Sequence, residues 1–263
     1  MVELRTPTEI DAMRGAGRVV ALALAAVRDA ARVGERLSGL DEVARDVIYG
    51  AGATSPFLGY RPSFAPTPFR GVICASVNDA ALHGTPGRYR LADGDLVSID
   101  CGAVLDGWAA DAATSFVVGT THAGDLALIG TTESALDAGI AAARVGGRLG
   151  DISAAIAGVG RAAGCGIPTD FGGHGIGRTM HEDPSVPNDG RAGRGLPLLA
   201  GLVIAIEPWF LAGGVDAYLV DEDGWTVRSS DGSRAAHAEH TVALTEDGPL
   251  VLTASAAADS GRP

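Results

Sequence analysis

Two aspartates with ten residues between them carry the first chemical signal. In Ser98-Ile99-Asp100-Cys101-Gly102-Ala103-Val104-Leu105-Asp106-Gly107-Trp108-Ala109-Ala110-Asp111, the Asp106-Gly107 pair sits between two strand-like runs. That dipeptide signals a two-residue hairpin, because a type I′ turn needs positive φ at both central positions. Leu105 then opposes Trp108, Asp100 opposes Ala113 and Asp111 opposes Gly102. Asp100 and Asp111 become diagonal neighbours on one sheet face, with Cβ atoms about 7 to 8 Å apart or somewhat less. Like charges that close on an apolar strand need a cation between them or a proton on one of them. A metal ion is the economical solution; two solvent-facing acids on an edge hairpin are the alternative for the pair alone.

Further residues of the same chemical character lie downstream. Phe171-Gly172-Gly173-His174-Gly175-Ile176-Gly177 surrounds a histidine with glycines that let the backbone bend and approach closely. His181-Glu182 follows, without the HExxH spacing of a zincin helix. Glu207 ends an apolar run and precedes Pro208, where a ladder must stop. Glu239 opens a strand expected over Thr241 to Thr245, and His83 lies in Asn78-Asp79-Ala80-Ala81-Leu82-His83-Gly84. Taken singly, each also fits an ordinary loop histidine, turn cap or strand-end acid.

The elements that must position these groups repeat. Ala31-Arg32-Val33-Gly34-Glu35-Arg36-Leu37 recurs 112 positions later as Ala143-Arg144-Val145-Gly146-Gly147-Arg148-Leu149. Each copy follows a helical stretch (Pro7 to Arg32; Leu126 to Arg144) and leads into another (Leu40 to Ala51; Ile152 to Ala163). A strand ending in an acid comes next in both halves, Gly94 to Asp100 and Gly201 to Glu207. Two copies of one design pack about a pseudo-two-fold axis, so acids at matched strand ends meet near it; chance recurrence in an Ala/Gly-rich chain is the alternative. Further strand signals fall at Val72 to Asn78, Thr114 to Val118, Ala217 to Asp221 and Thr226 to Ser229. Helices paired ahead of strands favour an α+β fold, an antiparallel sheet covered by helices, over a doubly wound one.

At about 150 residues per domain, 263 residues suit one or two domains. The junction near Gly119 to Gly124 is short, so one domain over 1–252 is expected, with halves of about 8–120 and 121–250 and a frayed tail at 253–263. A chain 46% apolar and 20% charged is globular rather than disordered. The net charge of −12 offers no cationic face for nucleic acid. Val19 to Val27 is far shorter than the roughly 20 apolar residues of a membrane span, and acids precede it, so a cytoplasmic protein is expected. Cys74, Cys101 and Cys165 lie far apart without a CxxC pair and read as buried free thiols.

Together these segments resemble the type I methionine aminopeptidases over about residues 8 to 248. The pattern is present in order: His83-Gly84-Thr85-Pro86, Asp100 and Asp111, Gly173-His174-Gly175-Ile176-Gly177 with His181, Ile206-Glu207-Pro208, and Glu239-His240-Thr241. The resemblance implies a pita-bread fold and two divalent metal ions (Co, Mn, Fe(II) or Zn). Asp100 would bind one ion and His174 and Glu207 the other, with Asp111 and Glu239 bridging. Glu207 would also be the catalytic glutamate, and His83 and His181 would hydrogen-bond the substrate. Tyr60, Cys74, Met180 and Trp225 match substrate-pocket positions. The implied partners are nascent polypeptide N-termini, met at the ribosome, and the implied state is a monomer.

The sequence departs from that pattern where Phe57 stands ahead of Leu58-Gly59-Tyr60, a place often held by cysteine, and where extra residues fall within Arg61 to Arg70. Both changes bear on the substrate pocket. Prolidases would need a large N-terminal domain, and type II enzymes a helical insertion between His181 and Glu207. Creatinase-like relatives lack the metal ligands. A related aminopeptidase with another N-terminal preference, or a non-catalytic binding protein on the same fold, is the remaining alternative.

Overall fold

Thr6 starts the first helix by a reciprocal cap: its hydroxyl accepts from the Glu9 N–H, and the Glu9 carboxylate accepts from the Thr6 N–H at 2.9 Å. Pro7 follows at the first helical position, where its missing N–H costs nothing. The computed structural model of the protein describes residues 2–63 and 65–254. Helix α1 spans Pro7–Ala30 and α2 Leu37–Gly50; strands β1 Ile73–Val77, β2 Ala80–Leu82, β3 Asp95–Leu105 and β4 Trp108–Val118 follow. The second half begins with α3 Ala123–Ala142 and α4 Leu149–Ala162. Then come β5 Gly173–Gly175, β6 Glu182–Val186, β7 Val203–Ile206, β8 Trp209–Leu211, β9 Tyr218–Val220, β10 Val227–Ser229, β11 Ala235–His237, β12 Glu239–Thr245 and β13 Gly248–Val251.

The repeat is structural as well as sequential. Ala30 and Ala142 end the long helices, Leu37 and Leu149 begin the shorter ones, and Gly50 and Ala162 end them, always at the 112-position spacing of the motif. The observed helices α2 and α4 start three residues earlier than the expected ones, because Leu37 and Leu149 are the first residues of each buried stripe. Gly34 and Gly146 occupy equivalent turns with φ near +88° and +89°, which their lack of a Cβ makes cheap.

Every strand pairing is antiparallel, and the main sheet runs β1-β3-β4-β12-β7-β5-β6, with β13 paired to β12 beyond its short contact with β4. Its seam between halves is short, Glu239 opposite Ala113 and His240 opposite Ala112. One core gathers α1 and α2 against β3 and β4 through Val20, Val27, Leu40, Ile48 and Ile99. The second packs α3 and α4 on β7 and β12 through Leu136, Ile152, Ile156, Ile204 and Val242. Among the described residues, no helix is long and apolar enough to cross a membrane.

The expected hairpin register holds from Leu105↔Trp108 to Asp95↔Val118, with Asp106 at φ 51° and Gly107 at φ 75°. Two expectations change. The strand expected over Thr241 to Thr245 begins two residues earlier, at Glu239 itself. Thr253, expected to fray, is buried, and its hydroxyl accepts from the Thr241 N–H at 3.2 Å and contacts His240 Nδ1 at 2.8 Å. The rest of the expected tail, 255–263, lies outside the described residues.

Two glycine substitutions test this account with opposite signs. Gly107→Ala forces a Cβ into positive φ and should lower urea-unfolding stability by about 1 to 2 kcal/mol. Gly158→Ala, in α4 with open space around its ideal Cβ, should raise it by about 0.5 to 1 kcal/mol.

Candidate active site

Five neighbouring strands contribute one acid or imidazole each to the same face of the main sheet. Asp100 lies in β3 opposite Ala113, and Glu239 opens β12 opposite the same Ala113, so the two flank it across three strands. Asp111, two residues before Ala113, shares their face. Glu207 follows the last residue of β7, whose Ile206 opposes His240, and so reaches the level of Glu239. His174 is the middle residue of β5, next to β7. Cys74, opposite Asp100 in β1, extends the row on the other side.

The sheet holds this row by more than its own ladder. Thr241, fully buried, donates its hydroxyl to the Asp111 carbonyl at 2.8 Å and accepts from the Asp111 N–H at 2.9 Å. Ser115 does the same for His237, accepting its N–H at 2.9 Å and donating to its carbonyl at 2.7 Å. The buried Asn188 amide donates to the Glu207 carbonyl at 3.0 Å. Gly173 is required beside β7, because a Cβ there would lie 2.1 Å from the Ala205 carbonyl oxygen.

Burial without a counter-charge leaves these acids poorly placed as free carboxylates. It raises Asp100 to about 7 and Glu207, with the Asp100 charge adding to the effect, to about 8. Asp111 and Glu239 are pushed well above the usual carboxylate range, by burial first and then by their acidic neighbours. Asp100 Oδ1, Asp111 Oδ1 and Glu239 Oε1 are buried with no hydrogen-bond partner. Unsatisfied buried oxygens of this kind are costly in an apolar medium, and divalent cations are the chemistry that satisfies several at once. Donor atoms of Asp111, His174 and Glu239 come within 4.8 Å of one another, as do those of Glu207, His237 and Glu239. The residues therefore fit a site for metal ions, with Glu239 common to both groups.

The imidazoles are held neutral. Burial, with the nearby His181, lowers His174 to about 3, and its Nδ1 lies 2.9 Å from the Gly175 carbonyl, a contact that puts the proton on Nδ1. Nε2 is left as a lone-pair donor, 3.6 Å from Glu207 Oε1. His83, at φ 55°, falls to about 4 by burial and by His181, and His181 is lowered by burial. His181 stacks near Tyr60 and His174, at ring separations of 5.2 and 4.4 Å.

Above the row opens a cavity of about 370 Å³. Phe57, Tyr60, Cys74, Met180 and Trp225 all line it. The Phe57 ring lies over Gly102, where a Cβ would come within 2.9 Å of it. Phe69, from the segment Arg61 to Arg70, is a wall residue that sequence reading missed, packed edge-on to Trp225 at 5.1 Å. The Trp225 indole N–H donates to the Thr67 carbonyl at 3.0 Å, so this segment is tied to the pocket wall. Sequence reading also missed His237, whose Nε2 lies 3.7 Å from Glu207 Oε2 and 4.0 Å from Glu239 Oε2. Its position two residues before Glu239, at the spacing of a shared strand face, was the available signal.

The acid groups make a prediction about the metal-free protein. From pH 7 to 8, unfolded carboxylates are already ionised while native Asp100 and Glu207 still hold protons, so the native state binds more protons and stability falls as pH rises. The histidines lowered by burial oppose this only near and below the ordinary histidine pKa of about 6.5. Calorimetry of chelated protein should show Tm decreasing over that window. Mn(II)-loaded protein should not show the decrease, because its carboxylates are ionised in both states.

A family model described as metallopeptidase family M24 matches residues 11–246. Methionine aminopeptidase 1 of Mycobacterium tuberculosis (strain CDC 1551 / Oshkosh) is 52% identical over 260 residues, covering 96% of this chain and 95% of that protein. The crystal structure of methionine aminopeptidase from Thermotoga maritima superposes with a TM-score of 0.91 at 37% identity, covering 96% of this chain and 99% of the other. A prolidase from Pyrococcus furiosus, 21% identical with a TM-score of 0.73, shares the fold. With near-complete coverage by the first two relatives and a row of acids and imidazole across the sheet, the chain belongs to the M24 metallopeptidases, among the methionine aminopeptidases.

Proposed function

We propose that this protein removes the N-terminal methionine from peptides and nascent chains whose second residue is small, using two divalent ions held by Asp100, Asp111, His174, Glu207 and Glu239. The observation that carries this reading is the convergence of one acid or imidazole from each of five neighbouring strands, with three carboxylate oxygens unpartnered, below a cavity with one apolar wall. When bound, such ions supply a nucleophile from water near neutral pH, polarise the scissile carbonyl and anchor the free α-amine. Glu207 accepts the proton released as the peptide carbonyl is attacked and delivers it to the departing amine, a task suited to a carboxyl whose pKa lies near 8 before metal loading. His83 and His181, neutral at physiological pH, act as N–H donors to the substrate amide and the developing oxyanion. Phe57, Tyr60, Phe69, Met180 and Trp225 form the apolar wall that takes the unbranched methionine side chain. The work is expected in the cytoplasm, on chains leaving the ribosome, by a monomer.

Hydrolysis of Met-Ala-Ser by protein stripped with chelator and reloaded separately with Mn, Fe(II), Co(II) or Zn tests the reading. Methionine release should return with metal, and Glu207→Ala should lower kcat by at least about 10²-fold. Absence of release with every metal would overturn the activity. Phe57 and the tied segment favour a second reading, a pocket tuned to a different N-terminal residue. A panel of X-Ala-Ser peptides separates the two: with a methionine pocket, Phe57→Ala should weaken discrimination of Met from Phe by about tenfold.

A further inference from the structure

His237 is 2% exposed, and its Nε2 is buried without a hydrogen-bond partner. It faces Glu207 Oε2 at 3.7 Å and Glu239 Oε2 at 4.0 Å. These separations are too long for hydrogen bonds. They exceed by up to about half an ångström the roughly 3.3 to 3.6 Å between neighbouring donors in a tetrahedral sphere at about 2.0 to 2.2 Å, a gap that a small side-chain shift closes. His174 stands in the same relation to the other oxygen of that carboxylate, with Nε2 3.6 Å from Glu207 Oε1. Glu207 is therefore flanked by two imidazoles, one at each oxygen, at nearly equal distance.

The backbone of His237 leaves little freedom to aim elsewhere. The residue pairs with Trp209 across β11 and β8, and both its N–H and its carbonyl are held by the Ser115 hydroxyl. Ser115 is in turn 2.7 Å from the Ser98 hydroxyl, so three strands fix the point from which the ring projects. A buried ring nitrogen with no partner, held rigidly toward two carboxylates, has the features of a ligand rather than of a core side chain.

We propose that His237 is a sixth protein ligand of the metal centre, joining Glu207 and Glu239 on one ion and giving the centre a second imidazole. The proposal rests on the reading that the cavity floor holds divalent ions. A second imidazole on the ion that Glu207 holds shifts its sphere further from oxygen toward nitrogen, which favours Co(II), Ni(II) and Zn(II) over Mn(II). His237 thereby becomes a determinant of which metal the protein prefers.

Co(II)-loaded protein gives a direct count of ligands by proton NMR, because each coordinated imidazole contributes one strongly shifted, solvent-exchangeable N–H resonance. The wild-type protein should show two, and His237→Gln one. Isothermal titration should show His237→Gln losing at least tenfold in Co(II) affinity and less in Mn(II) affinity. A single exchangeable resonance in the wild type, with Co(II) bound, would overturn the ligand assignment and leave the metal centre standing. That count needs no variant, so it decides the matter even if His237→Gln fails to fold. Failure of Co(II) to bind the wild-type protein at all would overturn both the assignment and the metal-centre reading beneath it.

Discussion

Four carboxylates share one buried volume, and their mutual repulsion is the constraint around which the molecule is arranged. Asp100, Asp111, Glu207 and Glu239 all have their acidity weakened by burial, and three of the four also by one another. A core built for stability alone would not contain them, since unpaired buried charge is among the costliest features a protein can carry. Their presence makes sense only with positive charge between them. The hydroxyl clamps of Thr241 and Ser115, the Asn188 amide and the close approach of Gly173 to β7 can be understood as the scaffold that keeps repelling groups from drifting apart.

The same constraint explains the use of two similar halves. Asp100 and Asp111 come from the first, His174, Glu207 and Glu239 from the second; in the main sheet the halves meet at the short β4–β12 pairing of Glu239 and His240, and β2 pairs with β10 in a smaller sheet. Cation binding would thus draw together groups on both sides of that seam, adding cohesion where the backbone ladder is thin. The substrate wall is also shared: Trp225 of the second half is tied to Thr67 of the first and packs on Phe69.

Much of this was legible in the sequence because local rules and the global fold agree. Asp106-Gly107 dictates a turn type, the turn dictates a register, and the register places Asp100 diagonally from Asp111. The paired helices follow from apolar spacing and from the recurring Ala-Arg-Val-Gly turns. Less legible were β5, β8 and β11, three residues each, too short to show alternation. Their existence depends on partners distant in the chain, as β11 depends on β8. His237 was missed although it stands two residues before Glu239, because its meaning comes from Glu207, thirty positions earlier. Phe69 sits in a proline-rich stretch whose path is set by Trp225, more than 150 positions away. Burial of Thr253 likewise depends on His240 and Thr241, which nothing in the final residues announces.

The order of the acids along the chain has a consequence during synthesis. Asp100 and Asp111 are translated 139 and 128 positions before Glu239. At about 5 to 20 residues per second that gap is on the order of 10 s. Throughout it the hairpin exists without the β12 strand that covers Asp111 and clamps its backbone. The pair must spend that time hydrated or sharing a proton, because the remaining ligands have not been made. Assembly of the centre is therefore among the last events of this protein's own birth, and the emerging hairpin is a surface that water, not protein, must keep soluble in the meantime.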